Sequence, residues 1–341
     1  MFRRVPTLFI GMLLSAVCSV LAASPSVAQQ SQDVSLGIGG RTLFSYLPLT
    51  LTDRLGYFRD EGLAVRINDF QGGSKSLEAL VGGSIDFVAG AYENALFMKQ
   101  KGVDLKAVAL LTDRFGLVFA LNKELAAKYK SPEDIRGKKI GVTAPGSAVS
   151  NALEIILAKG GMTPKDVAMI GIGGGAGAVA AVKSGQVDGL VLSDPAITRL
   201  EQDGVITAIV DSRTEEGQKY LYGGPSATSS IYTTAKFAAE NPKVVQAFVN
   251  AFVRTMKWMS KASLDEIMAA VPPEFYGQDK EIYRKSLAAN MDGFSKDGHL
   301  TLELATATYK SMASSGRLAT GAIPDLPSTI DDSFWKAANG R

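Results

Sequence analysis

The chain is nearly devoid of the side chains that most often do covalent chemistry. Its 341 residues include one cysteine, Cys18, and one histidine, His299. Cys18 falls in an N-terminal stretch that reads as a leader, so the remainder has no thiol. That excludes disulfides, a cysteine nucleophile and a Cys-ligated metal. A lone histidine in Asp297-Gly298-His299, with no GxSxG elbow, leaves little for triad chemistry or a His-ligated metal. An excess of one charge is missing too. Lys and Arg number 36 against 34 Asp and Glu, and the two surplus cations, Arg3 and Arg4, belong to the leader. Without them the balance is zero, and no basic stretch points to nucleic acid or an anionic membrane as a partner.

The leader is read from its own pattern. Arg3-Arg4 form a basic start, Leu8 to Ala23 is an apolar run broken by small residues, and Ser26-Val27-Ala28 offers a small-x-small cleavage site before Gln29. The run is short for a membrane anchor, and beyond it no apolar run reaches spanning length. Ser15-Ala16-Val17-Cys18 is a poor lipidation site, because Val17 is larger than the residue usual before a lipidated cysteine. The expectation is a signal peptide over 1–28, cleaved near Ala28, and a soluble periplasmic product. The whole chain is 46% apolar and 21% charged, a globular composition, and its length suffices for two domains.

What the chain does have is a repeat. Gly72 to Val103 matches Gly174 to Val205 without a gap, an offset of 102 residues. Gly72, Gly73, Ala79, Gly83, Asp86, Gln100, Gly102 and Val103 all recur. Upstream the same offset sets Ile38-Gly39 on Ile140-Gly141, Ser45 on Ser147 and Leu51 on Leu153. Residues 36–105 and 138–207 share 14 identities in 70 positions. The matches sit at glycines, one acid and the apolar framework, the positions that set backbone geometry and core. One α/β unit therefore occurs twice.

Strands are expected at 34–38, 64–70, 85–89 and 105–111 in the first copy, with helices between them, which implies parallel pairing and right-handed crossovers. Helices are expected at 47–58, opening with Pro48, and after Gly72-Gly73-Ser74, with Ser74 as N-cap. Phe115–Leu121 reads as a crossing strand, Lys139–Thr143 opens the second copy, and Thr228–Thr233 returns the chain to the first domain. The helices expected at 242–260, 264–270, 280–290 and 302–314 brace the first domain and its hinge. The tail from Gly321 ends in a surface arm whose Phe334-Trp335 pair is a candidate for docking.

In such sheets ligands bind beyond the carboxyl ends of the strands. The repeat names the loops that would face each other there, each running into a helix N-terminus that favours an anion. From the first copy come Gly40, Arg41, Phe44, Ser45, Tyr46, Gly73, Ser74, Tyr92, Glu93 and Asn94. The crossing contributes Arg114 and Phe115, and the second copy Gly146, Ser147, Ala148, Gly174, Gly175, Ser193 and Asp194. Each has a plainer reading beside this one. The glycines serve tight turns, Ser147 is an N-cap with or without a ligand, and Arg41 suits either a planar anion or solvent. Asp86 and Asp188 read as structural hydrogen-bond acceptors. Gly171-Ile172-Gly173-Gly174-Gly175-Ala176 mimics a dinucleotide fingerprint, but the fingerprint wants an acid at the end of the next strand about twenty residues on, and Asp188 is fourteen residues on from Ala176 and at a strand's start.

Tyr46-Leu47-Pro48-Leu49, followed by Leu55-Gly56-Tyr57-Phe58-Arg59-Asp60-Glu61-Gly62-Leu63, resembles the signature of the nitrate/sulfonate/taurine-type solute-binding proteins of ABC transporters, the NMT1/THI5-like group. Ala79 to Asp86, Ile135 to Val142 and Val187-Asp188-Gly189 with Asp194-Pro195 extend the likeness over roughly residues 33–260. It implies a type II periplasmic binding fold with two doubly wound α/β lobes around a cleft, joined by two hinge crossings. Lobe 1 is expected at 33–117 and 229–341, with the C-terminal helices, and lobe 2 at 118–228. It implies a non-enzymatic monomer without metal or cofactor, closing on a small ligand and handing it to an ABC permease and ATPase at the inner membrane. The fold does not choose the ligand. Helix N-termini, Arg41, Arg114 and the aromatics favour an organic anion such as a sulfonate or aromatic carboxylate, whereas Glu93 favours an amino or ring N–H group. A periplasmic ligand sensor is the alternative. The THI5-like pyrimidine enzymes are a further one, but they depend on histidines that this chain does not have in the corresponding region.

Overall fold

The repeated apolar segments assemble into two five-stranded sheets of the same design. A computed structural model describes residues 1–2, 31–314, 316–318 and 325–340; the rest of the expected leader, with Cys18, lies outside the described residues. In the first copy β1 is Gln32–Ile38, β2 Leu63–Asp69, β3 Phe87–Ala91 and β4 Leu105–Thr112. Then come β5 (Val118–Asn122), β6 (Lys139–Val142), β7 (Ala168–Gly171), β8 (Gly189–Leu192), β9 (Ile206–Asp211) and β10 (Ser229–Thr234). The sheet orders are β2-β1-β3-β10-β4 and β7-β6-β8-β5-β9. β1, β2 and β3 pair in parallel, as do β6, β7 and β8. The parallel expectation fails at one slot in each sheet: β10 runs antiparallel between β3 and β4, and β5 antiparallel between β8 and β9. The reason is topological. Each crossing delivers its strand from the opposite lobe, and it enters the sheet head to tail.

The repeat holds, with one slip. Ile38 pairs with Asp69 and Val142 with Gly171. Asp69 and Gly171 are 102 apart, but Ile38 and Val142 are 104 apart, so Gly37 and not Gly39 is the partner of Gly141. Sterics agree. A Cβ on Gly37 would meet Ile85 at 2.5 Å and Phe70 at 3.2 Å, and one on Gly141 would meet Ile172 at 2.4 Å. Phe70 and Ile172 are themselves repeat partners, each lying over a strand glycine. The repeated acids bind backbone as expected. Asp86 Oδ2 accepts from the N–H and Oγ–H of Ser35, both at 2.7 Å, and Asp188 Oδ2 accepts from Lys139 N–H at 2.8 Å. Each ties the entry of its third strand to its first.

The expected helix over 47–58 breaks in two, Leu47–Arg54 and Tyr57–Asp60, because Gly56 takes φ +79° between them. The 280–290 helix forms as Lys280–Asn290 but does more than brace the first domain. It packs against helix Ala196–Gln202 of the second lobe, with Arg199 paired to Asp279, while Tyr283 meets Phe44 of the first lobe edge-on at 4.9 Å. Helix Pro242–Met259 buries Val245, Phe248, Val249, Phe252, Val253 and Met256, an i, i+3, i+4 stripe. At ~1.5–3 kcal/mol per fully buried apolar side chain it anchors the first lobe, with Phe248 stacked on Phe87 at 4.5 Å. The tail docks through its aromatic pair. Helix Ser333–Asn339 packs on Pro242–Met259, Phe334 is buried, and Trp335 stacks on His299 while its Nε1–H donates to Asp297 O at 2.9 Å.

Candidate functional site

The loops beyond the strand ends meet across a closed cleft. Ser74 Oγ–H of the first lobe donates to Pro145 O of the second at 3.2 Å, and Phe44 N–H reaches Asp194 O at 3.4 Å. Two repeat-related glycines set this approach. A Cβ on Gly72 would lie 2.7 Å from the Ala144 Cβ of the other lobe, and one on Gly174 would lie 2.9 Å from Leu43. At the centre is a partly enclosed cavity of about 30 Å3. Ser45, Tyr46, Gly73 and Asn94 line it from the first lobe, Phe115 and Leu117 from the crossing, and Thr143, Ser147, Ala148 and Ser193 from the second.

Its chemistry is neutral and donor-rich. Among the described residues no Lys, Arg, Asp, Glu or His lines it. Ser147 caps helix Ala148–Lys159 by accepting from Ser150 N–H, and its Oγ lies 2.9 Å from Thr143 Oγ1. The first-turn N–H groups of that helix and of helix Gly73–Val81 begin at the cavity wall, where partial positive charge and unpaired donors favour oxyanions. Burial pushes the Tyr46 hydroxyl up to about 12, against the pull of its hydrogen bond to the Gly39 backbone, so it stays protonated.

Eight of the expected site residues line this cavity: Ser45, Tyr46, Gly73, Asn94, Phe115, Ser147, Ala148 and Ser193. The others lie elsewhere. Arg41 is exposed, its guanidinium donating to Ile67 O at 2.5 Å and its N–H to Asp69 Oδ2. Tyr92 is buried but its Oη pairs with Thr329 Oγ1 at 2.6 Å, away from the cleft. Asp194 is fully buried and committed to structure, accepting from Thr198 N–H and Asn290 Nδ2 at 2.8 Å and paired with Arg213 at 3.1 Å. Arg114 sits beside Gly293 in the crossing, and Gly40 lies against Leu43. Ser74 is not the expected N-cap: Gly72 occupies that position, and Ser74 and Gly146 border a separate interlobe groove. Gly174 and Gly175 open instead onto an apolar pocket under helix Lys280–Asn290, and Phe44 faces Tyr283 there.

Glu93 lies next to the cavity in a polar bridge between lobes. Asn151 Nδ2–H of helix Ala148–Lys159 donates to its Oε1, and Arg317 donates to Asn151 Oδ1. Arg317 also pairs with Glu154 at 3.4 Å and lies over the Phe97 ring of the first lobe at 5.2 Å. Burial raises the Glu93 carboxyl above its ordinary value, with Arg317 and Asn151 pulling it back. Sequence reading missed Leu117 and Thr143; Gly116, between Phe115 and Leu117, takes φ +60°, so no period-2 pattern relates those two side chains.

Two lobes of one design, each holding a strand delivered by a crossing from the other and closing on a shared cavity, define the type II periplasmic binding protein fold. Known proteins agree. The structure superposes on that of a Bordetella bronchiseptica RB50 protein with a TM-score of 0.86 at 38% identity, over 91% of this chain and 98% of that one. The alkanesulfonate-binding protein SsuA from Xanthomonas axonopodis pv. citri, bound to MOPS, matches with a TM-score of 0.69 at 19% identity, over 88% of this chain and 98% of its own. The taurine-binding periplasmic protein of Escherichia coli (strain K12) is 27% identical over 244 residues, 71% of this chain and 72% of its own. The family model described as NMT1/THI5 like matches residues 44–262. The chain belongs to that family.

Proposed function

We propose that this chain is an exported solute-binding protein that captures a small ligand by lobe closure and delivers it to an ABC importer, without chemical change. The carrying observation is the central cavity, whose walls come from both lobes and a hinge crossing. A volume of about 30 Å3 holds no more than ~2 waters, so a ligand enters only when the lobes part. Ligands of the taurine- and sulfonate-binding relatives carry an oxyanion, and hydroxyl donors with helix N-termini suit that group here. Among the described residues the cavity wall offers no general base, which supports binding without turnover.

The test is thermal melting and calorimetry of the ligand-stripped protein against alkyl sulfonates, nitrate, aromatic carboxylates, pyrimidines, flavin and amino acids. A ligand at 100 times its Kd adds about 2.7 kcal/mol of stability, and the compound recovered should be the compound added. A different compound recovered, or no stabilisation across the panel together with an unchanged radius of gyration, refutes the reading.

A further inference from the structure

The cavity has a larger neighbour that no relative's name accounts for. A pocket of about 340 Å3 lies between helices Ala176–Lys183 and Ala196–Gln202 of the second lobe and the C-terminal helices Pro273–Tyr276 and Lys280–Asn290. That volume is within the range of small-molecule sites. Phe275, Tyr276 and Tyr283 supply aromatic walls and Val179 and Ile282 aliphatic ones. The cations at its edge are already neutralised, Lys183 by Asp203 at 2.6 Å and Arg199 by Asp203 and Asp279. Glu274 also lines the pocket but is exposed at its rim, so the interior suits an uncharged ring. Tyr283 is 2% exposed, and its hydroxyl has no hydrogen-bond partner among the described residues. A buried donor left unpaired costs about 1–3 kcal/mol, which makes it a standing partner for a heteroatom brought in from outside.

The two spaces are one side chain apart. Leu43 belongs to the cavity wall and presses on Gly174, which belongs to the pocket wall. Leu43 is in the first lobe and Gly174 in the second, so this partition exists only while the lobes are closed, and opening them joins the two spaces.

We propose that the ligand spans both: a small oxyanion head among Ser45, Ser147 and Ser193, and an aryl body against Tyr276 and Tyr283, with the Leu43 side chain turned off Gly174 to let the link pass. This rests on capture between the lobes as proposed above, and it assigns ligand choice to the C-terminal helices rather than to the polar cavity. The occupant is an arylalkyl sulfonate or carboxylate. The shared chemistry is the oxyanion head, and matched probes separate the two.

The experiment is titration calorimetry with two pairs, methanesulfonate with 2-phenylethanesulfonate and acetate with 3-phenylpropionate. In one pair the aryl member should bind roughly 10- to 100-fold tighter, the gain from burying a ring. Tyr276→Ala should reduce that ratio at least tenfold and Tyr276→Phe should retain it, which separates ring contact from misfolding. Equal binding of head and aryl members in both pairs overturns this inference and leaves capture standing. So does a ratio untouched by Tyr276→Ala. Silence of all four probes overturns it as well, whereas the capture reading fails only with the wider panel.

Discussion

Gly72→Ala should cripple closure and leave the free protein intact. Gly72 is at φ 172°, extended backbone that alanine adopts without strain. In the closed form its new Cβ would lie 2.7 Å from the Ala144 Cβ across the cleft, about 1 Å inside ordinary carbon–carbon contact. Both atoms are fixed to backbone, so neither can swing aside. Overpacking of this kind costs ~1–3 kcal/mol, and here it falls on the closed state alone. The dissociation constant should therefore rise about 5- to 150-fold. Loss of glycine's freedom in the unfolded chain should hold the ligand-free stability level or raise it by up to ~1 kcal/mol. The assay is calorimetric titration with the ligand found by melting, beside urea unfolding of the empty protein. A dissociation constant within twofold of wild type refutes the reasoning, and so does a ligand-free loss above ~1 kcal/mol. Gly174→Ala should be milder, because the atoms it would meet are the flexible end of Leu43.

Two further outcomes concern buried charge. Arg317→Ala removes a charge-assisted hydrogen bond and a ring contact, for a loss of ~2–3 kcal/mol at pH 7 in urea unfolding. It also raises the already raised Glu93 carboxyl further. A carboxyl whose folded value exceeds its unfolded one gives stability that is present below the unfolded value and lost as pH rises through the folded value. The deficit should therefore shrink on acidification from pH 7 to 5, and equal deficits at both would disprove the link to Glu93. Arg213→Ala strips the guanidinium that serves Asp194, Asp211 and Glu201, leaving Asp194 buried without its cation. The expected loss is ~3 kcal/mol, the low end for breaking a buried pair, since Thr198 and Asn290 still donate to Asp194. A loss below ~1 kcal/mol would show that those two donors suffice.

The two-unit architecture was legible because its signal lies in glycines and apolar spacing, and each copy obeys the same backbone demands. The slip at β1 was not, for an instructive reason. Ile-Gly occurs at 38–39 and again at 140–141, so identity favoured one pairing while the sheet register, set by Phe70 over Gly37 and Ile172 over Gly141, requires another. In the cavity, Ser147 was readable because an N-cap hydroxyl is fixed by the helix it opens. Arg41 and Tyr92 misled because residue type says nothing of where a long side chain turns. Arg41 found a carbonyl on β2, and Tyr92 found Thr329, 237 residues away. The helix Lys280–Asn290 was bounded correctly from its pattern. That it lies over the second lobe depends on contacts such as Arg199–Asp279 that no local pattern carries.

The strand exchange imposes an order on assembly. A chain synthesised as far as Asp211 already holds all five strands of the second sheet, β5 having been made before β6 to β9. The first sheet, begun earlier, is then still in two pieces, because β10 belongs between β3 and β4 and ends only at Thr234. The lobe encoded in the middle can finish while the lobe encoded first waits with a gap at its centre, its last strand held only by the chain. Closing that gap joins β10 to residues more than a hundred positions upstream, so the entropic cost of ordering the long intervening loop falls once the middle lobe has folded and shortened it.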